Sequence, residues 1–234
     1  MRHIILTGDS HLGPLKRGMM LDRGIEAATV TFWPLGKGAG ARQAFFDVGA
    51  EGVTTHFRSW HNRTYTPDAM AEISPDAVLV VSLPMNTSRI LRDYSWHSHA
   101  PWRLAKEEIA LSDAVVSALI EQDSQYAVEF VLALKKIWPR TAVIEAPRFF
   151  RNASYLESQR FEVCRYVDQL YRAQVGDRLG AAGVDVIAQP RETITVDGAT
   201  DLAYDHENPD DDHHGNAQYG LAALRAVLAY AAAV

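Results

Sequence analysis

Two short stretches, some 200 residues apart, hold the residue types that acyl-transfer chemistry needs. Near the start the chain reads Met1 to Leu12, MRHIILTGDSHL, with Gly8-Asp9-Ser10 directly after a short apolar run. Near the end, Asp210 to Gly220 reads DDDHHGNAQYG and contains Asp211-x-x-His214. A serine hydroxyl is a weak nucleophile until a base takes its proton, and an imidazole works as that base when a carboxylate holds it. A serine at one end of a chain and an Asp-x-x-His at the other are the parts of a hydrolytic triad. A second register with the same spacing, Asp210 with His213, is also present. A lone Gly-Asp-Ser can be no more than a helix cap, since Asp and Ser both cap helices. Charged turns such as Asp210-Asp211-Asp212 are commonly solvated surface loops or loose divalent-metal patches.

The elements around these stretches suit the triad reading. His3 to Leu6 is too short for a helix, and Thr7 and Gly8 bound it at once, so it reads as a buried parallel strand. Glycine at its end permits a sharp turn, and Asp9 and Ser10 stand where a helix begins. Open α/β folds place ligands at this carboxyl edge of the sheet, and a helix amino terminus there offers free N–H groups to a developing oxyanion.

Together the blocks resemble the SGNH/GDSL hydrolase family of esterases, lipases and related acyl-transfer enzymes. Gly8-Asp9-Ser10 matches the family's first block. Asp211-Asp212-His213-His214-Gly215-Asn216 matches its last, with an asparagine two residues after the histidine, which favours Asp211/His214 over Asp210/His213. The resemblance implies Ser10 as nucleophile, His214 as base and Asp211 as its partner. It implies an oxyanion hole from the Ser10 N–H, a glycine N–H after the second strand (Gly38 or Gly40) and the Asn86 amide. The family's third block is Gly-x-Asn-Asp. Here Pro84 and Thr87 replace its Gly and Asp, and only Asn86 matches. Asp9 is expected to bond loop N–H groups behind the nucleophile.

Read in order, the chain alternates strands and helices. A short helix is expected from Ser10 to about Ala27, and a strand over Thr29 to Trp33. Gly36, Gly38 and Gly40 form a loop that opens onto a helix from about Ala41; it lacks the full phosphate-loop pattern. Val48 to Tyr65 is irregular, a hairpin or an ordered loop. Asp76 to Leu83 is a central strand, six of its eight residues apolar without alternation. Ala105 to Ile137 reads as two helices broken near Gln122-Asp123-Ser124. Strands follow at Thr141 to Ala146 and Val184 to Ala188, on either side of a helix over 157–182. Residues 193–208 form a loop that delivers the Asp-x-x-His, and Ala217 to Ala233 is a final helix. This pattern predicts a three-layer α/β/α domain over 1–234 with a five-stranded parallel sheet. The flavodoxin-like strand order 2-1-3-4-5 is what the family resemblance implies.

Composition narrows the function classes. The 234 residues are 47% hydrophobic and 22% charged, with a net charge of −6, which permits a substantial core and offers no basic stripe for nucleic acid. Cys164 is the only cysteine, so no disulfide within the chain can form, and its helical context makes it a buried small apolar residue. No secretory signal or membrane span is visible, and a cytoplasmic protein is the expectation. The Asn-x-Ser/Thr triplets at Asn62, Asn86 and Asn152 then carry no glycan. No cofactor is called for. His97-x-His99 could bind a metal, but no further Cys/His spacing supports zinc. Trp60, His61, Arg63, Trp96, His97, His99 and Trp102 could line a substrate pocket. Their polar-aromatic character favours short acyl groups, such as acetyl groups on a carbohydrate. Three functions remain open: an ester hydrolase, a sugar O-acyltransferase with the same triad, and a binding domain that kept the fold.

Overall fold

The computed structural model describes residues 2–22, 24–25, 29–56 and 62–234. In chain order the strands and α-helices are β1 (Ile4–Gly8), α1 (Leu12–Met19), β2 (Val30–Pro34), β3 (Phe46–Val48), β4 (Val53–Thr55), β5 (Thr64–Tyr65), α2 (Pro67–Ala71), β6 (Val78–Val81), α3 (Ser88–Asp93), β7 (His99–Pro101), β8 (Ile109–Leu111), α4 (Asp113–Ile137), β9 (Thr141–Ile144), α5 (Phe161–Ala181), β10 (Asp185–Ile187) and α6 (Ala217–Ala233). Five of the strands form one parallel sheet in the order β10-β9-β6-β1-β2. Numbered among themselves these are 2-1-3-4-5, the expected order.

Strand alternation divides the core between the two faces. Ile5, Leu79, Val81 and Val143 point to the face covered by α4 and α5, in one cluster with Val128, Val131, Val167 and Tyr171. Ile4, Leu6, Val78, Val80, Ala142 and Ile144 point to the other, against Leu12 and Leu15 of α1 and Leu224 and Val227 of α6. Both faces of β1 and β6 are buried, which is why these strands read as unbroken apolar runs.

The packing of α6 on α1 brings the ends of the chain together. A β-carbon on Gly220 would lie 1.8 Å from the Pro14 carbonyl oxygen, and one on Gly18 would lie 2.2 Å from the Leu221 nitrogen. The two backbones therefore touch where only glycine fits. Since α1 follows Ser10 and α6 follows His214, this crossing fixes the distance between the two blocks.

Several elements differ from expectation. The first helix is shorter, with His11 as its cap residue and neither Asp9 nor Ser10 capping by side chain; residues 23 and 26–28 lie outside the described ones. No α-helix starts at Ala41. Gly38–Arg42 is a 3-10 turn, and the chain enters a three-stranded antiparallel sheet, β3-β4-β5. The alternating glycines are too poor in helix propensity to start a helix there. In place of two helices broken at 122–124 there is one 25-residue helix, α4, preceded by the strand β8. Asp123 and Ser124 do not break it, because both are buried and bonded. Ser124 Oγ donates to the Ile120 carbonyl, while Asp123 accepts from Arg42, Arg89 and Tyr171. Cys164 is buried as expected, and burial pushes its thiol up to about 12. Among the described residues no helix is long and apolar enough to cross a membrane.

Candidate active site

Gly8 ends β1 with φ of 138°, a conformation that side chains resist, and a β-carbon there would lie 2.2 Å from Ser82 Oγ. The chain turns at once, and Asp9 is drawn under the turn. Asp9 Oδ1 accepts from the His11 N–H at 3.1 Å and from Ser82 Oγ at 3.1 Å. Burial raises the Asp9 pKa, with the Arg89 guanidinium partly opposing the shift. This buttress leaves Ser10 half-buried at the carboxyl edge of the sheet.

At the other end of the chain, Asn216 caps α6. Its side chain accepts from the Tyr219 N–H at 3.0 Å and donates to the Ala203 carbonyl at 2.9 Å. The asparagine two residues after the histidine is thus the anchor of the loop that carries it. Arg17 of α1 reaches the Gly215 carbonyl at 3.3 Å, a further tie between the two blocks.

The loop and the turn meet at the expected atoms. His214 Nε2 lies 2.8 Å from Ser10 Oγ, and His214 Nδ1 lies 2.8 Å from each oxygen of Asp211. The geometry selects the Asp211/His214 register. Asp210 is exposed, while His213 Nδ1 stands 3.2 Å from Asp211 and 3.5 Å from Asp212. Asp212 is turned to Ser154 and Arg92.

Asn86, Gly38 and Gly40, the expected oxyanion donors besides Ser10, differ in how they are bonded. Asn86 is buried, and its Oδ1 accepts from the Ser88 N–H and Oγ at 3.1 and 2.7 Å. Both bonds orient the amide. Thr87, where the family has Asp, donates to the buried Asp168 at 2.6 Å, and Asp168 also accepts from Arg148 and Arg172. The geometry also separates the two glycines. The Gly40 N–H is spent on the Lys37 carbonyl at 2.9 Å. Gly38 lies against Asp9, with its carbonyl held by buried Arg89 at 2.5 Å.

Two residues of this site carry no motif signal: His11 and Arg89. Arg89 joins Gly38 to Asp123 of α4, and Arg42 reaches Asp123 at 2.7 Å. Its place three residues after Asn86, on the same helix entry, is the one clue the sequence holds. The His11 ring is buried 4.6 Å from the His214 ring, centroid to centroid, with the Asn86 amide beside it. Burial, with His213 and Arg89 nearby, drives the His11 pKa down to about 3. Burial likewise lowers His214 to about 3, with His11 and His213 adding and Asp211 opposing. His214 is therefore held neutral, in the form that can accept a proton. Burial raises the Asp211 pKa, but the charge interactions with His214 and His213 and the hydrogen bonds from His214 together carry the net shift downward.

These two histidines set an acid limit on stability. A folded-state pKa below the unfolded value, about 6.5 for histidine, means the unfolded chain binds more protons below that pH. Stability then falls as pH drops from about 6.5 toward 3, by up to about 1.4 kcal/mol per pH unit for each histidine. His11→Phe is expected to flatten this acid limb, and Tm measured from pH 7 to 4.5 for both proteins checks it. Parallel curves would mean that His11 is not buried neutral.

Of the expected pocket walls, those among the described residues do not line the cavity beside Ser10. Trp60 and His61 lie outside the described residues. Trp96 is fully buried with its indole N–H on the Ile90 carbonyl, because α3 needs an apolar cover. Arg63 lies over the Trp33 ring at 4.3 Å, and Trp102 is half-exposed under Arg103. His97 lines a separate surface pocket with Glu108 and Arg160, and His99 sits in β7 beside Ser98. Among the described residues the one group with three suitably close metal-ligand types is Asp211, His213 and His214, not the His97-x-His99 pair.

The sheet order, with the Gly-Asp-Ser turn after β1, an asparagine after β6 and the Asp-x-x-His before α6, points to one fold. The chain has the SGNH/GDSL hydrolase fold. A Streptococcus pneumonia structure provisionally described as a platelet activating factor aligns with a TM-score of 0.53 at 11% identity, covering 98% of this chain and 84% of that one. A GDSL-like lipase from Bacteroides thetaiotaomicron aligns at 0.49 with 9% identity over 99% and 88% of the two chains. An extracellular lipase from Streptomyces rimosus aligns at 0.49 with 10% identity over 98% and 99%. No protein-family model matches the sequence, and no curated protein does. At such identities the SGNH/GDSL likeness extends to the fold alone.

Proposed function

We propose that this SGNH-fold chain is a serine hydrolase of acyl esters. The observation that carries the reading is the Ser10–His214–Asp211 relay, with 2.8 Å at both of its links. Ser10 Oγ attacks the ester carbonyl while its proton passes to His214 Nε2. Asp211 holds Nδ1–H and balances the imidazolium that forms. The oxyanion is met by the Ser10 N–H, the Gly38 N–H and Asn86 Nδ2. His214 then returns its proton to the leaving alcohol, and water resolves the acyl-enzyme by the reverse path. A sugar hydroxyl in place of that water would make the same triad an O-acyltransferase, and product analysis with an added sugar separates the two.

The test is turnover of p-nitrophenyl esters by wild type and Asn86→Ala. Asn86→Ala should lower kcat by about 10²–10³ with KM little changed, because its amide serves the oxyanion more than the ground-state ester. No turnover across a panel of acetyl to octanoyl esters, or an unchanged kcat in Asn86→Ala, would sink the reading.

A further inference from the structure

A groove of about 430 Å³ opens beside the nucleophile, between α1 and the end of β2. Its walls are Asp9 and Ser10, then Leu12, Gly13 and Lys16 of α1, with Phe32, Pro34 and Gly36 opposite. Pockets of about 300–1,000 Å³ hold drug-sized ligands, so the space is far more than an acetyl group fills. Beyond Ser10 the lining is apolar until Lys16. Leu12 and Lys16 are one helical turn apart, about 6 Å along the axis. The Lys16 side chain is exposed and makes no hydrogen bond or ion pair among the described residues, whereas neighbouring Arg17 is committed to Gly215. In a chain of net charge −6, an uncommitted cation at the far end of an apolar groove, with the Asp9 carboxyl at the near end, gives the groove a polarity.

Resting on the hydrolase reading, we infer that this groove binds a medium-length aliphatic arm of the ester and that Lys16 pairs with an anionic group at its end. The substrate class is an ester with an apolar spacer of roughly a helical turn or more between the reacting carbonyl and a carboxylate or phosphate. The expectation of a short acetyl ester rested on aromatic walls; of these, Trp96, His97, His99 and Trp102 do not line the groove, whose own walls suit a longer arm. The anion can sit on the acyl side, as in a dicarboxylic half-ester, or on the alcohol side. The two differ in which part of the substrate leaves first.

Gly13 offers a clean probe. A β-carbon there meets only Arg17 Nη1, at 3.5 Å. Leucine should fill the groove without disturbing the helix, where it has the better propensity. Each buried methylene is worth about fourfold. Wild type should therefore prefer p-nitrophenyl octanoate to the acetate in kcat/KM. Gly13→Leu should lower the octanoate-to-acetate ratio of kcat/KM by at least about tenfold. Lys16→Gln should lose about three- to fivefold, in line with an exposed ion pair, on anionic esters alone. On the acyl side the pair to compare is the p-nitrophenyl half-ester of octanedioic acid against the octanoate. On the alcohol side it is 8-acetoxyoctanoate against octyl acetate. A loss confined to one pair locates the anion. A chain-length profile that Gly13→Leu leaves unchanged overturns the groove assignment, and equal losses on charged and neutral esters overturn the role of Lys16. Should wild type cleave no ester, the triad reading fails separately. Calorimetric binding of octanedioate, weakened in both variants or in neither, then decides the groove by itself.

Discussion

Ser10→Ala is expected to lower kcat for ester hydrolysis by about 10⁴–10⁶, the largest effect of any single substitution in this chain. The side chain has one recorded hydrogen bond, the 2.8 Å contact with His214 Nε2. Its removal takes away the atom that becomes bonded to the acyl group and leaves the base with nothing to deprotonate but water. What survives is catalysis by the oxyanion donors and by binding. Ser10 lies two residues ahead of α1 and outside the strand ladder, so the fold should tolerate alanine and Tm should stay close to wild type. Side-by-side assay on p-nitrophenyl octanoate, with Tm as the folding control, checks this. Activity within tenfold of wild type would remove Ser10 from the mechanism.

Asp211→Asn is expected to cost about 10⁴ in kcat, because an amide can present its NH₂ to His214 Nδ1 and so favour the wrong imidazole tautomer. Both Asp211 oxygens now stand 2.8 Å from Nδ1, and Oδ1 also accepts the His214 backbone N–H at 3.1 Å. Asp210→Asn is the matched control. Asp210 is exposed, and its recorded bond is made by its backbone, to Asn208 Oδ1. Its loss should change kcat by less than about threefold. His213→Gln should likewise leave the acyl-transfer step working, since the bond to Ser10 belongs to His214. A large loss in Asp210→Asn with little in Asp211→Asn would reassign the register.

The groove changes how these measurements are best made. If Lys16 selects an anionic arm, assays on neutral acetyl esters understate wild-type turnover and compress every ratio above. The octanedioate half-ester is then the substrate on which the triad variants separate most widely. Added salt should weaken the Lys16 contribution and leave the triad ratios alone, since an exposed pair is screened and a half-buried relay is not.

Local sequence alone indicated the strands of the parallel sheet and the candidate triad residues. A parallel strand buried on both faces must be apolar throughout, so β1, β6 and β9 announce themselves, and helices between them impose right-handed crossovers. Gly8-Asp9-Ser10 and Asp211-x-x-His214 were legible for a similar reason: nucleophile, base and orienting carboxylate each demand one residue type, and the histidine and its carboxylate lie within one turn of chain. Tertiary structure alone decided what depends on partners far away in sequence. The unbroken α4 needed Arg42, Arg89 and Tyr171 to satisfy Asp123, which a local reading sees as a breaker. Gly40 is set apart from Gly38 by one backbone bond, its N–H to the Lys37 carbonyl, which the sequence does not show. The walls of the groove come from one face of α1 and the end of β2, whereas the aromatic residues that looked like walls went elsewhere, Trp96 into the core and Trp102 to the surface. A side chain's type limits what it can do, but burial and partners determine which of those things it does, and both are set only when distant segments pack.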